Sequence, residues 1–364
     1  MLGLFLLFKL LQLVIVYFAP APFDTSSLIF FESHQQELAQ LPAALQWLVT
    51  NVFQKLVVWD AIYFLKLADE GPTFEHEYVF GPLWWRLLAQ IPLDNIYYKL
   101  IGGLFISNVS HYLSCLVLHK LTKRYFGYKV AVNSALLTII QPSGIFSTSI
   151  YSEPITQLIC YTALLLRSYG RRSIRYLLSG VFIAIAFGFR SNCLLYGLVF
   201  LYDLVSDVSI YPLLAGLPLF GSLCLSIYIP YQAFCPERGE WCFSTTKSLV
   251  SYAQSHYWVN GFLAYFTVGN IPLFIIAAPN LLILATSIYN LRSVKTIRPI
   301  LLTSLVYLIV QFFFMNVQII NRVITFLPTH IWYVALTENR KIASFWIFWT
   351  ILQTALFATF LPPA

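Results

Sequence analysis

Charge is scarce in this chain. Asp, Glu, Lys and Arg make up 10% of its 364 residues, and 59% are hydrophobic, against roughly 25% charged and about 45–50% apolar in a soluble domain. That balance excludes a water-soluble globule. A Gly-Lys-Ser/Thr phosphate loop is missing, as are an aspartate pair of the metal-dependent nucleotide-sugar type and the second histidine of an H-E-x-x-H motif, so no familiar nucleotide or zinc signature is present. No internal repeat, low-complexity tract or flexible linker divides the sequence, which reads as one membrane domain over 1–364. The first apolar stretch has no small-residue cleavage site and is expected to stay as an uncleaved anchor.

What is abundant is uncharged apolar sequence in runs of about 17–22 residues, long enough to cross a hydrocarbon core of roughly 30 Å as helices. The expected spans are Leu2–Ala19, Tyr97–His119, Val130–Thr148, Pro154–Leu166, Tyr176–Gly188, Cys193–Val205, Ile210–Ile229, Ile271–Tyr289, Pro299–Gln318, Val323–Leu336 and Ile342–Leu361. This is an all-α polytopic membrane protein with about 11 spans, in a range of roughly 8–12. Its short loops sort by charge. Lys9, Lys120, Lys123, Arg124, Lys129, Arg167, Arg171, Arg172, Arg175, Arg292, Lys295, Arg298, Arg340 and Lys341 fall on one side, which is then cytoplasmic. The formal charge of +7 thus reflects membrane orientation and implies no nucleic-acid binding.

Two far-side loops are long, 20–96 and 230–269. In the first, Leu41, Leu45, Leu48, Val49, Val52, Leu56 and Val57 recur at helical spacing, predicting an amphipathic helix on the membrane surface that delivers Trp59 and Asp60 near the interface. Asp60 is either the N-cap of a helix over 61–67 or a reaction-cleft carboxylate. Glu75-His76-Glu77 has the residue types for acid–base work, or is solvated loop charge. Glu153, flanked by prolines beside a membrane boundary, must face a cavity or water. Arg190 and Arg322, at far-side span ends, either snorkel to headgroups or grip a phosphate. Cys235 and Cys242 in the second loop are either bridged or two free thiols.

The runs Trp59-Asp60-Ala61-Ile62-Tyr63-Phe64, Pro142-Ser143-Gly144-Ile145-Phe146, Tyr151-Ser152-Glu153, Phe189-Arg190-Ser191-Asn192, Gln254-Ser255-His256-Tyr257-Trp258-Val259-Asn260-Gly261-Phe262-Leu263, Asn321-Arg322 and Trp332-Tyr333 resemble the GPI mannosyltransferase family that adds the second mannose, in a compact fungal form. The resemblance runs through most of the chain in order. The Ser-His-Tyr-Trp block is its most specific element. Gly71–Glu75 and Phe80-Gly81-Pro82 depart from the expected first-loop pattern. What the resemblance implies is a GT-C-type fold in the endoplasmic-reticulum membrane with its active site facing the lumen. It also implies inverting α-1,6 transfer from dolichyl-phosphate mannose to a one-mannose GPI precursor, without a cofactor or metal, and a small accessory membrane subunit. The implied catalytic base is Asp60, with Glu153 or Glu77 as alternates. Arg190, Arg322 and His256 are implied partners of the leaving phosphate, and Gln254, Asn260, Trp258, Trp59 and His76 complete the implied substrate contacts. Two other readings stay open, another dolichyl-phosphate-mannose-dependent transferase and a polytopic transporter using intramembrane Arg190 and Glu153.

Overall fold

The computed structural model describes residues 1–92 and 94–362, and all regular structure among them is helical. Among the described residues, five helices are long and apolar enough to cross a membrane: Ile96–Phe126, Ile210–Phe234, Val268–Leu291, Lys295–Phe313 and Arg340–Ala358. Two bent pairs, Ala43–Leu56 with Asp60–Glu70 and Val317–Phe326 with Thr329–Thr337, raise the number to seven if each is one span. That is fewer than the sequence pattern predicts. The expected spans at the N-terminus and between 130 and 205 form helices, Leu2–Phe18, Tyr128–Ile139, Glu153–Arg167, Ile174–Phe189 and Ser191–Ser206, each shorter than the five long ones.

The physical reason is clearest at the expected span 130–148. Its helix ends at Ile139, after 12 residues, which at about 1.5 Å per residue reaches roughly 18 Å. Gln141-Pro142-Ser143-Gly144 then breaks the helix, and the chain from 141 to 152 runs as a loop buried at every position. Irregular backbone is tolerated at membrane depth only where protein satisfies its polar groups, and here it does. Asn108 Nδ2 donates to the Thr148 carbonyl, Ser107 Oγ to that of Tyr151 and Trp84 Nε1 to that of Ile150. Gln141 and Gln157 exchange amide hydrogen bonds. Lys9 belongs to the same scaffold and not to the basic-side loops where its charge suggested placing it. It lies within the first helix, 7% exposed, and its Nζ donates to the Ser147 carbonyl and Thr148 Oγ1, both at 2.7 Å.

On the basic side, a second buried network ties the short helices together. Arg167 forks onto both oxygens of the fully buried Asp203 at 2.6 and 2.7 Å, and the Tyr176 hydroxyl donates to the same carboxylate at 3.0 Å. The ends of the Glu153–Arg167, Ile174–Phe189 and Gly197–Ser206 helices meet there. Farther along the Ile174–Phe189 helix, Gly180 faces the Ala215 carbonyl so closely that a Cβ would overlap it. A small residue at a helix crossing of this kind is what lets two membrane helices approach backbone to backbone.

The first long loop is part of the packed body. The predicted amphipathic helix forms over Ala43–Leu56, passing from α to π to 3-10 geometry. Its apolar face, Val49, Val52 and Leu56, is buried with Trp84, Leu100 and Ile145 in one hydrophobic cluster. Polar contacts pin the loop to the start of the Ile96–Phe126 helix. Glu37 accepts from the Ile96 backbone at 2.6 Å, and Asp69 pairs with Lys99 at 2.7 Å.

Candidate active site

Between Leu56 and Asp60 the chain leaves one helix and enters another, and the carbonyls in this break need partners. The buried loop supplies them: Ser149 Oγ donates to the Leu56 carbonyl at 2.5 Å and the Tyr151 hydroxyl to that of Val58 at 3.1 Å. The turn forces Trp59 to φ +56°, a left-handed conformation uncommon for a large residue and of the sort that persists where surroundings over-determine it. Its ring, 37% exposed, packs against Phe360 at 5.1 Å.

Asp60 does not cap the helix. Trp59 occupies the N-cap position and Asp60 is the first helical residue, so its carboxylate turns outward to Arg322, with Oδ2 2.7 Å from Nη1. Arg322 Nε is 3.8 Å from Glu153 Oε1, and that same oxygen takes a 2.7 Å hydrogen bond from Arg190 Nη1. Four residues distant in sequence thus form one chain, Asp60–Arg322–Glu153–Arg190, in which two carboxylates and two guanidiniums balance. The guanidinium of Arg322 lies over the rings of Phe146 and Tyr151 at 5.4 and 5.5 Å, adding cation–π attraction to the ion pairs.

Burial grades along this chain. The Glu153 side chain is 1% exposed, Arg322 13%, Arg190 18% and Asp60 30%. The inner carboxylate therefore organises the two arginines, while Asp60 is the most exposed of the four. The second Glu153 oxygen is buried without a hydrogen-bond partner among the described residues.

Gly81 positions the first loop against this site. With φ +20°, it lies so near the Phe189 carbonyl that a Cβ would collide with backbone, and Phe189 directly precedes Arg190. Gly81→Ala is expected to push the loop off Phe189 and displace Arg190. The activity of the site should fall at least about tenfold, through a mechanism of backbone strain, with protein abundance in membranes measured alongside. Wild-type activity in Gly81→Ala would mean that the approach is not needed.

The remaining predicted residues lie outside the ion-pair chain. Glu77, an alternate for the base, is fully buried and committed to its own loop. It accepts from Lys66 Nζ at 2.7 Å, from Thr73 N at 2.8 Å and from Phe74 N at 2.9 Å. Burial opposes its ionisation, but these donors outweigh burial and hold the carboxyl below the ordinary glutamate range. His76 sits among rings, 5.3 Å from Tyr257 and 5.9 Å from Tyr63. Trp258 approaches Phe80 edge-on at 5.8 Å. His256 is exposed and stacks on Tyr252 at 4.8 Å. Gln254 accepts from Asn260 Nδ2 at 2.6 Å, and Asn260 Oδ1 accepts from Asn316 N at 2.9 Å, so both amides brace the second loop.

Glu75, open in sequence to acid–base work or solvated loop charge, joins the two long loops. Its carboxylate accepts from Tyr257 at 2.7 Å and from Trp241 Nε1 at 3.1 Å. As acceptor it pushes the Tyr257 phenol up to about 12. Cys235 and Cys242 are bridged, with Cα atoms 5.7 Å apart, and hold Trp241 in the short loop between them. A donor on another loop leaves no mark at the acceptor's position in sequence.

Comparison with known proteins identifies the family. The family described as Mannosyltransferase (PIG-V) matches residues 1–308, a stretch that contains Asp60, Glu153 and Arg190. A GPI mannosyltransferase 2 of Candida albicans is 35% identical over 401 aligned positions, covering 100% of this chain and 99% of the relative. Those of Saccharomyces cerevisiae and Kluyveromyces lactis are each 36% identical, covering 99% and 98% of this chain and 98% and 95% of the relatives. No solved structure matches.

Proposed function

We propose, from the premise that this chain belongs to the PIG-V mannosyltransferase family, that it transfers the second mannose, in α-1,6 linkage, from dolichyl-phosphate mannose to a one-mannose GPI precursor. The relatives named GPI mannosyltransferase 2 support this choice among mannosyl transfers. A GT-C-type fold, an endoplasmic-reticulum membrane location with the site facing the lumen, transfer without a resident metal, and a small accessory membrane subunit belong to the same proposal.

The observation that carries it is the Asp60–Arg322–Glu153–Arg190 chain, because it supplies both halves of an inverting displacement. Asp60, the most exposed of the four, takes the proton from the acceptor 6-hydroxyl as the oxygen attacks the anomeric carbon. The bond from that carbon to the phosphate oxygen breaks on the opposite face, and the leaving dolichyl phosphate carries away the electron pair. Arg190 and Arg322 are suited to meet the charge that develops there, since guanidinium forks match phosphate oxygens. Glu153 neutralises and orients them between turnovers. His256, exposed on the second loop, is a weaker candidate for the phosphate.

The experiment is the lipid profile of cells depleted of the protein and complemented with the wild-type chain. Accumulation of a one-mannose GPI precursor, relieved on complementation, is the expected result. Normal intermediates, or a block at another mannose count, would overturn the proposed acceptor.

A further inference from the structure

Resting on the proposed function, we infer that Tyr63, Phe80, Trp258 and His76 form an aromatic platform that binds the acceptor glycan and lays its sugar ring beside Asp60. Tyr63 lies three residues after Asp60 on the Asp60–Glu70 helix, so the two side chains share one face with Cβ atoms roughly 5–6 Å apart. The Tyr63 ring stacks on Phe80 at 4.8 Å and 12°. Trp258 and His76 stand edge-on to that pair at 82° and 83°. The assembly draws on both long loops, which the Glu75 hydrogen bonds to Tyr257 and Trp241 keep together.

Packing does not require this surface. The same helix already buries Ala61, Phe64, Leu65 and Leu67, whereas Tyr63 remains 38% exposed. Nor is its setting that of a ring bathed in acyl chains. His76 lies against it and stacks on Phe74, over whose ring Lys66 Nζ lies at 4.9 Å, so the surface is aqueous or headgroup-like.

An exposed aromatic face rimmed by hydrogen-bonding groups suits a pyranose. The sugar's C–H face, with partly positive hydrogens, lies on the electron-rich ring, and its hydroxyls reach the rim. The acceptor is the fitting partner because the nucleophilic hydroxyl must come to the base. The donor phosphate belongs with the arginines deeper in the site.

Membranes containing the full-length protein are assayed with dolichyl-phosphate mannose and a synthetic one-mannose GPI glycolipid, varying each in turn. Tyr63→Ala is expected to raise the acceptor KM about three- to tenfold, the scale of a lost aromatic contact, and to leave the donor KM within about twofold. Tyr63→Leu, which keeps apolar bulk without a π face, should match Tyr63→Ala, and Tyr63→Phe should restore the acceptor KM. A rise in donor KM instead, an unchanged acceptor KM, or a loss of folded protein shared by Tyr63→Leu would overturn the platform. Absence of transfer to this acceptor by the wild-type protein would overturn the proposed function itself, a distinguishable outcome.

Discussion

Asp60→Asn is expected to abolish transfer while leaving the protein in the membrane at its normal level. General-base catalysis contributes about 10²- to 10⁴-fold, so the rate should fall by at least about a hundredfold. The structure explains why folding should survive. Asn keeps an oxygen in place for Arg322, whose other contacts, to Glu153 and over two rings, are untouched. The helix start does not depend on the carboxylate, since Asp60 is not its cap. Kinetic assay of the variant beside an immunoblot of membrane protein separates the two effects. A loss of less than tenfold would remove Asp60 as the base and turn attention to Glu153. That carboxylate is a poor second choice on geometry, being 1% exposed and already bonded to Arg190.

Much of this arrangement was legible in the amino-acid sequence, and the part that was not has a common cause. The all-helical membrane body follows from apolar run length, and the amphipathic helix ending before Asp60 follows from its 3.6-residue period. Asp60, Glu153, Arg190 and Arg322 stood out singly because charge in such surroundings is costly without a partner. That they are one another's partners was not visible, since each comes from a different segment. Hydropathy also overstates the spans. It scores residues 141–148 together with the helix before them, though Pro142 and Gly144 turn the chain there into a buried loop served by Lys9, Asn108 and Ser107. In the same way Lys9 was assigned to a loop by its charge, although its carbonyl partner lies 138 residues away. Glu77 had the right chemistry in sequence, but its donors, the backbone N–H groups of Thr73 and Phe74, are features of conformation.

Arg322 is the residue whose loss should cost most, because it serves both carboxylates. In Arg322→Gln, Asp60 loses its counter-ion and Glu153 keeps only Arg190. Removing one member of a buried ion pair typically costs about 3–5 kcal/mol; Asp60 is partly exposed, which places the expected loss near the lower end. Thermal denaturation in detergent should therefore shift downward by several degrees, together with a drop in transfer of at least about a hundredfold, the scale of losing an oriented donor to developing charge. Arg322→Lys separates the two effects. An ammonium restores positive charge beside Asp60 and should recover much of the stability. It is a single point of charge, however, and cannot reach Asp60 and Glu153 with separate nitrogens while its plane rests on Phe146 and Tyr151. Transfer should thus stay low in Arg322→Lys although the protein is nearly as stable as wild type. If lysine instead restores transfer to within tenfold, charge alone suffices and the fork has no catalytic role. If both variants are stable and active, the ion-pair chain is not the site of transfer.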